Sequence, residues 1–566
     1  MGLALWITGR MWLDPNGRAI GVNSGDQALF EWLLSYGSHA VRHGHNPLLT
    51  HLLNAPIGVN LSVNTSITVF AAAFAPLIWL AGVPVTFLVI LTLNLAGTAY
   101  AWYWLISREL GTSPLAAGLG GLFCGFGPAL VSHANAHLNW TAQWLMVLIV
   151  WAVVKLAAPG QAVRRGVVLG LLVAAGFSVA AEGLLFTALA CVVFVAAWVI
   201  PQWTKVRPAA EPFLRGLAVA AAVAGLLLAY PLYLHFFGPQ TYSGIGFDQR
   251  VHSEDLAAFG AFPARSLAGL AGLNTSLAPN PTEETTFFGP PLLLLALECV
   301  HVLWRAASAP RRAVLRALAV TGVVFAVLAL GPRLTWFGDI TPVRLPYALL
   351  ARLPVFNAAL PARFALAVTP IVGMLLALLL DHARVRRQPA WLAAIAVALL
   401  PLIPLPVFTV DRAPVPHFFS SGAWRSYVDA GGTVVPVPLP SDLLPDGQRW
   451  QADVLAGDGR VFAIPAGFFL GPGGPDGRGR IGPIPRPTAE LLFDAAKDGV
   501  VPAVTDADRA RAVEDLRYWN ASIVVLADQV QAAHWPVHYD ALKATAIALF
   551  GQPERVDDVW LWRVAG

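Results

Sequence analysis

Charged side chains are scarce in this sequence, and their scarcity excludes an ordinary soluble fold for most of the chain. Only 12% of the 566 residues are Asp, Glu, Lys or Arg, whereas soluble domains carry about 25%. Hydrophobic residues make up 57%. The net charge is only +4 and no basic tract is present, which argues against nucleic acid as a partner.

Cysteine and lysine are also rare. The three cysteines, Cys124, Cys191 and Cys299, fall within apolar blocks, so the sequence predicts small core residues and neither a disulfide framework nor a cysteine metal motif. Lysine occurs at only four positions. Together with the abundance of Arg, Ala, Gly and Pro, this is typical of a high-GC bacterial genome.

The apolar residues are gathered in blocks of the length that crosses a bilayer, which is roughly 20 residues. We therefore predict a polytopic α-helical membrane protein with about 11–13 transmembrane helices in residues 1–410. Residues 411–566 are mixed and charged, and we predict a soluble extracytoplasmic α/β domain there. The predicted spans are 66–81, 84–106, 115–132, 139–157, 166–181, 183–200, 215–236, 288–305, 314–331, 365–381 and 390–410.

The apolar stretch at the start of the sequence, Gly2 to Thr8, is too short for a span or a signal-peptide core. We expect a first helix that is truncated because the true N-terminus lies upstream, with an interfacial anchor as the alternative.

Arginines gather in four short loops, which the positive-inside rule places in the cytoplasm. Loops 237–287 and 332–364 and the tail then face outside, and strict alternation carried back along the chain puts 9–65 inside. The family resemblance given below implies instead that 9–65 lies outside. One block must then fail to cross, and we expect this of block 66–81, which Pro76 interrupts. The arginines concerned are Arg164, Arg165, Arg207, Arg215, Arg305, Arg311, Arg312, Arg316, Arg384, Arg386 and Arg387.

The first long loop holds a carboxylate and several imidazoles. Asp26 follows Asn23-Ser24-Gly25 and opens a helical pattern, so it can cap that helix or act as a general base beside the membrane. His39 and His43 lie at i and i+4 and therefore share a helix face. They can bind a metal or a substrate phosphate, or lie on a solvated interfacial helix.

Three further places offer polar groups to a substrate. His133 and His137 lie between two spans, where they can bond a sugar or pyrophosphate or can be ordinary interfacial residues. Glu182 interrupts a long apolar run, which marks a functional group or a tight outer turn. Glu284, paired with Glu283 at the entry to a span, can favour the helix N-terminus, orient a hydroxyl or hold a divalent cation.

Arg363 lies at the mouth of a later span, in the segment Pro361-Ala362-Arg363-Phe364. Its planar guanidinium suits a phosphate, although an arginine that snorkels to lipid headgroups would occupy the same place.

Together these motifs resemble the GT-C superfamily of membrane glycosyltransferases, especially its bacterial YfhO-like branch. The resemblance rests on NSGDQALFEW around Asp26 followed by HGHNPLLTHLLNAPIG, on the Glu-x-x-Phe-Phe-Gly pattern from Glu284, and on LPVFNAALPARF. It covers about residues 14–410. It implies a polyprenyl-phosphate-linked sugar donor and an inverting transfer, with Asp26 as the base. Arg363 or the pair His133 and His137 would face the phosphate, and Glu284 would orient the acceptor or the sugar.

The tail has strand-like runs at 432–438, 460–464, 522–526 and 558–564 and a helical stretch at 506–519. The Gly-rich segment 471–482 lacks the strand and helix of a nucleotide loop, so a flexible loop is expected. We expect the tail to bind an acceptor glycan or a partner, or to cover the membrane site.

Together with the apolar blocks, the GT-C resemblance implies a multi-pass cell-membrane glycosyltransferase that moves a sugar to an extracytoplasmic cell-envelope glycan or lipid acceptor. The expected substrate-binding residues are Glu182, Glu284, His133, His137, Arg363 and His43, and the expected catalytic residue is Asp26. No cofactor is expected, and a divalent cation is left open. A transporter or flippase of lipid-linked sugars and a non-catalytic membrane scaffold remain alternatives. We find no obvious internal repeat of the kind that transporters show.

Overall fold

The computed structural model describes residues 1–158, 160–385 and 387–564. Arg386, one of the arginines assigned to a cytoplasmic loop, lies outside the described residues. The chain forms two compact units. The first comprises Met1–Arg10, Ile90–Ala229 and Phe247–Val407. The second comprises Met11–Val89, Tyr230–Gly246 and Phe408–Gly566, of which the structure describes residues up to 564.

The first unit is built from apolar helices. Its α-helices are Pro114–Phe126, Pro128–His133, Leu138–Thr141, Gln143–Lys155, Ala162–Val199, Trp203–Val206, Leu267–Leu270, Gly289–Ala306, Ala309–Ala329, Tyr347–Leu350, Val368–Val385 and Pro389–Leu399. Three helices, Gly2–Trp12, Val83–Glu109 and Ala210–Phe237, run from one unit into the other. Single 3-10 turns lie at Ile200–Gln202, Arg207–Ala209, Leu256–Gly260, Pro361–Ala367 and Leu400–Leu402. One hairpin pairs strands Arg333–Trp336 and Asp339–Arg344.

Six stretches of the described chain are long and apolar enough to cross a membrane: Val83–Glu109, Pro114–His133, Ala162–Phe237, Gly289–Ala306, Ala309–Ala329 and Pro361–Arg384. The expected number was about 11–13. The difference has three sources. The 76-residue stretch Ala162–Phe237 absorbs three expected spans. Gln143–Lys155 and Pro389–Leu402 are shorter apolar helices. Block 66–81 breaks into Thr68–Ala73 and Ala75–Ala81.

Glu182 lies just after a sharp kink in helix Ala162–Val199. Ala180 has non-helical angles, with φ −155° and ψ 79°, and divides the helix into two. Near the start of the first part, Arg165 donates to Lys155 O, and Lys155 pairs with Glu109 at 2.7 Å. Near the end of the second part, Arg316 donates to Ala197 O at 3.4 Å. Ala180 therefore separates two helices directly before Glu182, where a tight turn between two helices was one expected interpretation.

One pair of packed helices shows which residues lie at each end of the first unit. Helix Pro114–Phe126 packs on Val368–Val385, and Ser113 N donates to Asp381 Oδ1 at 3.1 Å at one end of the pair. His133 and Arg363 lie beyond the other end, since the first helix continues towards His133 and the second begins after Arg363. The polar cluster described below is therefore remote from the end that carries Asp381.

The second unit combines the first polar loop with the tail. Its helices are Ser24–His43, Thr68–Ala73, Ala75–Ala81, His417–Ser420, Asp446–Ala456, Pro487–Asp498, Asp506–Tyr518 and Tyr539–Phe550. Strand Arg18–Ile20 pairs antiparallel with Thr409–Asp411, Leu49–Thr50 with Val59–Asn60, and Leu470–Gly471 with Arg480–Ile481. The tail sheet has the order Glu554–Val556, Val559–Arg563, Ala521–Ala527, Thr433–Pro436, and its last pair is parallel.

Long-range contacts explain why the compact units do not follow the expected division into 1–410 and 411–566. Arg412 donates to both carboxylate oxygens of Glu31 at 2.9 and 3.0 Å, and both side chains are buried. Trp32 Nε1 donates to Gln451 Oε1 at 2.6 Å. Each contact joins positions about 400 residues apart, and no local sequence pattern could have indicated either pairing.

The tail follows the predicted strands and helix in most places. Strands occur at Thr433–Pro436, Ala521–Ala527 and Val559–Arg563, and helix Asp506–Tyr518 begins with a capping box between Thr505 and Asp508. Run 460–464 forms only an isolated bridge, between Ala463 and Thr433. The Gly-rich segment 471–482 was expected to be a flexible loop, but its ends pair as a short hairpin, and Gly479 bonds Gly244 and Gly246.

Candidate functional site

A guanidinium shared by two carboxylates forms the centre of the polar cluster in the first unit. Arg363 Nη1 donates to Glu182 Oε2 at 2.9 Å, while its Nε and Nη2 donate to Glu283 Oε1 at 2.9 and 2.8 Å. Arg363 is only 17% exposed and Glu283 only 2%. The pairing offsets the cost of burying these charges, because each carboxylate meets a planar donor.

The Arg363 position is fixed by the segment around it. Pro361 opens a 3-10 turn, Pro361–Ala367, which leads into helix Val368–Val385. Leu360 N donates to Glu182 Oε1 at 2.9 Å, and Ala362 N donates to His252 O at 3.1 Å. Backbone bonds on both sides of Arg363 therefore hold its guanidinium towards the two carboxylates.

Two imidazoles complete the cluster on the side of Glu283. His133 Nε2 lies 3.8 Å from Glu283 Oε2, and His133 Nδ1 lies 2.9 Å from His137 Nδ1. All three residues are buried. His133, His137 and Glu283 can each direct one ligand atom so that all of these atoms lie within 4.8 Å of one another. Neither His133 Nε2 nor Glu283 Oε2 has a hydrogen-bond partner among the described residues.

Aromatic rings line one side of the cluster. Arg363 lies 5.1 Å from the ring centroid of Trp140, and Trp140 stacks on His133 at 5.6 Å and on Phe186 at 6.0 Å. Phe186 in turn contacts Phe364 at 4.2 Å. A cation over an indole gains about 0.5–2 kcal/mol, and the rings also exclude water from the ion pairs.

A buried carboxyl group lies behind the cluster, in the loop before the next span. Glu254 accepts hydrogen bonds from the hydroxyls of Thr285 and Thr286, the latter at 2.9 Å. Burial raises the pKa of Glu254 to about 8, with Glu283 and Asp255 adding to the effect. The two threonines directly follow Glu283-Glu284, so Glu254 fixes the segment that carries those acids.

Glu284 and Glu283 have different hydrogen-bond partners, although they are adjacent in the sequence. Its two oxygens accept from Ala264 N at 3.2 and 3.1 Å. Burial raises the pKa of Glu284 to about 7, which the nearby Arg265 partly opposes. Gly289, at the start of helix Gly289–Ala306, has φ +73°, and a Cβ there would lie 2.2 Å from Phe262. The last position of the Glu-x-x-Phe-Phe-Gly pattern therefore requires glycine, because its φ is positive and a Cβ would clash with Phe262.

The structure brings together four of the seven residues expected in the site. Glu182, His133, His137 and Arg363 share one cluster, and Glu284 lies on the same loop as its member Glu283. Asp26 and His43 belong to the second unit. Asp26 lies in the first turn of helix Ser24–His43, where its carboxylate is half-buried.

The histidines of the first loop group as their i, i+4 spacing predicted. The ring of His39 lies 4.2 Å from that of His43 and 5.4 Å from that of His45. Burial lowers the pKa of His39 to about 4. Asp458 lies 3.9 Å from both Arg42 and His43. His45, which follows Gly44 at the end of the helix, is the third ring that spacing alone did not indicate.

The sequence did not indicate that Glu283 is the acid that pairs with Arg363. It also did not indicate that Trp140 and Glu254 lie beside this pair. Glu283 and Glu284 are adjacent, and their loop has no helical or strand period that could indicate which of them faces Arg363. Glu254 could have been suspected because it precedes Asp255 in a loop between apolar blocks, but its partners are about 30 residues away.

The family of the chain follows from a match over most of its length. The model of a family described as Domain of unknown function (DUF6311) matches residues 1–403. The chain belongs to this family. No curated protein matches the DUF6311 chain. The YfhO-like branch suggested by the motifs stays a prediction.

Solved structures show which fold this DUF6311 chain shares. The arabinofuranosyltransferase AftD from Mycobacteria aligns with a TM-score of 0.52 and 14% identity, over 95% of this chain and 39% of that one. A mutant form of AftD gives a TM-score of 0.50 at 14% identity, with coverages of 95% and 41%. The oligosaccharyltransferase AglB from Archaeoglobus fulgidus, in complex with an inhibitory peptide and a dolichol-phosphate, gives 0.49 at 10% identity, with coverages of 93% and 68%.

The chain thus spans about two fifths of the length of AftD. The likeness to AftD shows a shared fold, and the six apolar stretches agree with the predicted polytopic α-helical membrane protein.

Proposed function

We propose that this DUF6311 protein is a membrane glycosyltransferase that moves a sugar from a polyprenyl-phosphate carrier to an extracytoplasmic cell-envelope glycan or lipid acceptor. The observation that carries the proposal is the cluster of Arg363 with Glu182 and Glu283, whose side chains are 17%, 25% and 2% exposed. Acids and an arginine buried between apolar spans are costly and are normally retained for chemistry. The AftD-like fold supports glycosyl transfer as that chemistry.

The cluster suits an amphipathic substrate, with a polar group at one end and an apolar chain at the other. Apolar helices surround the polar groups, so a prenyl chain can remain in lipid while its phosphate and sugar reach the cluster. A nucleotide sugar is a soluble cytoplasmic molecule, and the Gly-rich segment of the tail is a hairpin without the strand and helix of a nucleotide loop.

Arg363 retains donors for the phosphate of the carrier. A guanidinium has five N–H groups, and three of those in Arg363 are directed to Glu182 and Glu283. The remaining two are proposed to meet the donor phosphate. Glu182 and Glu283 are then available to accept hydrogen bonds from sugar hydroxyls, and Glu284 is proposed to orient the acceptor.

The proposed transfer is a single displacement with inversion. The acceptor hydroxyl oxygen attacks the anomeric carbon, and the bond from that carbon to the phosphate oxygen breaks. The electron pair leaves with the lipid phosphate, and the hydroxyl proton passes to a carboxylate. We propose Asp26 as that base, because it lies in the first polar loop, in the first turn of helix Ser24–His43, whose N-cap residue is Asn23.

The proposal places the cluster and the tail outside the cytoplasm. Its support is that Arg165 and the end near Asp381 and Arg384 lie at the ends of helices opposite to Arg363, as the positive-inside rule requires. A reporter that is active only in the cytoplasm, fused to the C-terminus, should be inactive. Activity of that reporter would contradict this orientation.

A donor-binding experiment tests the proposed donor class. A sugar linked to farnesyl phosphate and the same sugar linked to a nucleotide are titrated into the purified protein in detergent. Wild type should bind only the lipid-linked form. Arg363→Ala should weaken binding by about 10- to 150-fold, which corresponds to one charge-assisted contact of roughly 1.5–3 kcal/mol. Arg363→Lys should recover part of it, since an ammonium lacks the planar fork.

The exposed Arg305 supplies the matched control, and Arg305→Ala should bind like wild type. Equal affinities for wild type and both Arg363 variants would remove Arg363 from the donor site. Failure of folded wild type to bind any prenyl-phosphate sugar would contradict the proposed function and favour a scaffold. Binding without turnover would favour a transporter of lipid-linked sugars.

A further inference from the structure

The charge of the Arg363 cluster is unbalanced. Glu182 and Glu283 contribute two negative charges and Arg363 one positive charge, so with neutral imidazoles the net charge is −1. A net negative charge buried between apolar helices is costly unless a cation compensates it. It would also repel the phosphate of an anionic donor.

The unpartnered atoms of the cluster face the same space. His133 Nε2 and Glu283 Oε2 are 3.8 Å apart, both are buried, and neither has a hydrogen-bond partner among the described residues. His133 is fully buried and Glu283 is 2% exposed. Buried polar atoms normally have a partner, so this pair of atoms marks a place where a cation can bind.

We propose that His133, His137 and Glu283 bind one divalent transition-metal ion of the Zn²⁺ type. Two imidazoles and one carboxylate are a ligand set that such ions prefer, whereas Mg²⁺ prefers oxygen alone. Zn²⁺ ligands at about 2.0–2.2 Å lie roughly 3–3.5 Å from one another. The candidate atoms already lie within 4.8 Å, so small side-chain rotations suffice.

Local structure favours these ligands for an ion. Ala136, between the two histidines, has a positive φ of +73°, and the rings of His133 and His137 lie 5.1 Å apart. Trp140 stacks on His133, and Arg363 fixes the other oxygen of Glu283. Such outer contacts orient ligands and commonly change metal affinity by about 10- to 100-fold when removed.

The ion would also serve the proposed function, on which this part of the inference rests. A dication changes the net charge of the cluster from −1 to +1 and would favour an anionic phosphate beside Arg363. Three protein ligands leave a coordination position open, as in catalytic zinc sites. Metal binding itself does not depend on glycosyl transfer and is measured without any sugar.

The test measures ion content and affinity in a protein without a polyhistidine tag. The histidines near His39 could bind the same ion, so all proteins carry His43→Gln and His45→Gln, two exposed positions of the second unit. After removal of bound metal, the protein is titrated with Zn²⁺ by calorimetry and its content is measured by mass spectrometry. We expect one tight ion per chain.

His133→Gln and Glu283→Gln should each weaken Zn²⁺ binding by at least about 10-fold. His301→Gln, an exposed histidine of the first unit, should bind like the parent. The visible spectrum of the Co²⁺ form of the parent protein should show the intense bands of low coordination, and this readout does not require any variant to fold. Full Zn²⁺ stoichiometry at unchanged affinity in folded His133→Gln would overturn the proposal, as would a Co²⁺ spectrum with only the weak bands of the hydrated ion. Metal binding by this parent protein, together with no donor binding by unsubstituted wild type, would support this inference and contradict the proposed function.

Discussion

The carboxylate of Glu182 accepts hydrogen bonds from Arg363 Nη1 and from Leu360 N, both at 2.9 Å. It therefore joins the kink of helix Ala162–Val199 to the segment that opens helix Val368–Val385. Glu182 was the acidic residue most out of place in the sequence, and its partner is 181 residues further along the chain. The pairing explains how the chain holds a carboxylate between apolar spans.

Removal of Arg363 should destabilise the fold as well as the donor site. Arg363→Ala leaves Glu182 and Glu283 without their cation, and breaking a buried pair in this way costs about 3–5 kcal/mol. Arg363→Lys should cost less because it keeps the charge. Thermal unfolding in detergent measures both. Arg250→Ala breaks an exposed pair with Asp248 and should leave the melting temperature close to that of wild type. A wild-type melting temperature for Arg363→Ala would contradict the structural role.

Asp26→Asn should retain the fold and lose turnover. The amide keeps the size and most of the hydrogen bonding of Asp26 but cannot take a proton at neutral pH. Turnover should fall by at least about 100-fold, the lower range for loss of a general base. Asp411→Asn, at an exposed carboxylate of the same unit, serves as the control. Near-normal turnover in Asp26→Asn would reject Asp26 and move suspicion to Glu182, Glu283 or Glu284.

The buried carboxyl of Glu254 should make stability depend on pH. Burial raises its pKa from the ordinary value of 4.5 to about 8 in the folded protein, so the folded state binds the proton more tightly. This contribution is fully present below pH 4.5 and is lost as the pH rises towards 8. Glu284, with a pKa of about 7, acts in the same direction.

The melting temperature of wild type should therefore fall between about pH 5 and pH 8, and Glu254→Gln should flatten that profile because it removes the titrating group. Glu490→Gln, a substitution in the tail helix Pro487–Asp498, is the control and should leave the slope unchanged. Identical slopes in wild type and Glu254→Gln would show that Glu254 does not titrate in this range.

The buried pair Arg412 and Glu31 should hold the second unit together. Arg412→Met leaves Glu31 buried without its cation, and a loss of about 3–5 kcal/mol is expected. Adding Glu31→Gln should recover much of that loss, because no unpaired charge then remains. Arg555→Met breaks an exposed pair with Asp528 and should change stability by about 1 kcal/mol or less. Additive losses in the double variant would contradict a direct coupling.

The sequence was sufficient for features that depend on local composition. Apolar blocks predicted the helices, alternating and β-branched runs predicted three of the four tail strands, and the isolated charge of Glu182 marked the cluster. Features that depend on distant contacts could not be predicted. The pairing of Arg412 with Glu31 and of Arg363 with Glu283 brings together residues separated by 381 and 80 positions. No periodicity in either partner encodes the other.

Helix count and the choice of acid were harder for a different reason. Short apolar blocks such as 139–157 have enough hydrophobic residues to span a membrane but form a 13-residue helix, Gln143–Lys155, because preceding residues fold into the separate turn Leu138–Thr141. In the loop before Gly289, hydrogen bonds from Ala264 capture Glu284 and leave Glu283 to face Arg363. Such competition among neighbours is decided by tertiary contacts.

The central claim is that the protein transfers a sugar from a lipid phosphate, and release of that lipid phosphate tests it most directly. Purified protein in lipid nanodiscs is incubated with a panel of sugars on labelled short-chain prenyl phosphate and with a cell-envelope extract as acceptor. The account predicts that wild type and Asp411→Asn release labelled prenyl phosphate from at least one donor as labelled sugar enters the acceptor, and that Asp26→Asn does so at least about 100-fold more slowly. Folded wild-type protein that releases no prenyl phosphate from any donor, or that transfers sugar from a nucleotide instead, would contradict it.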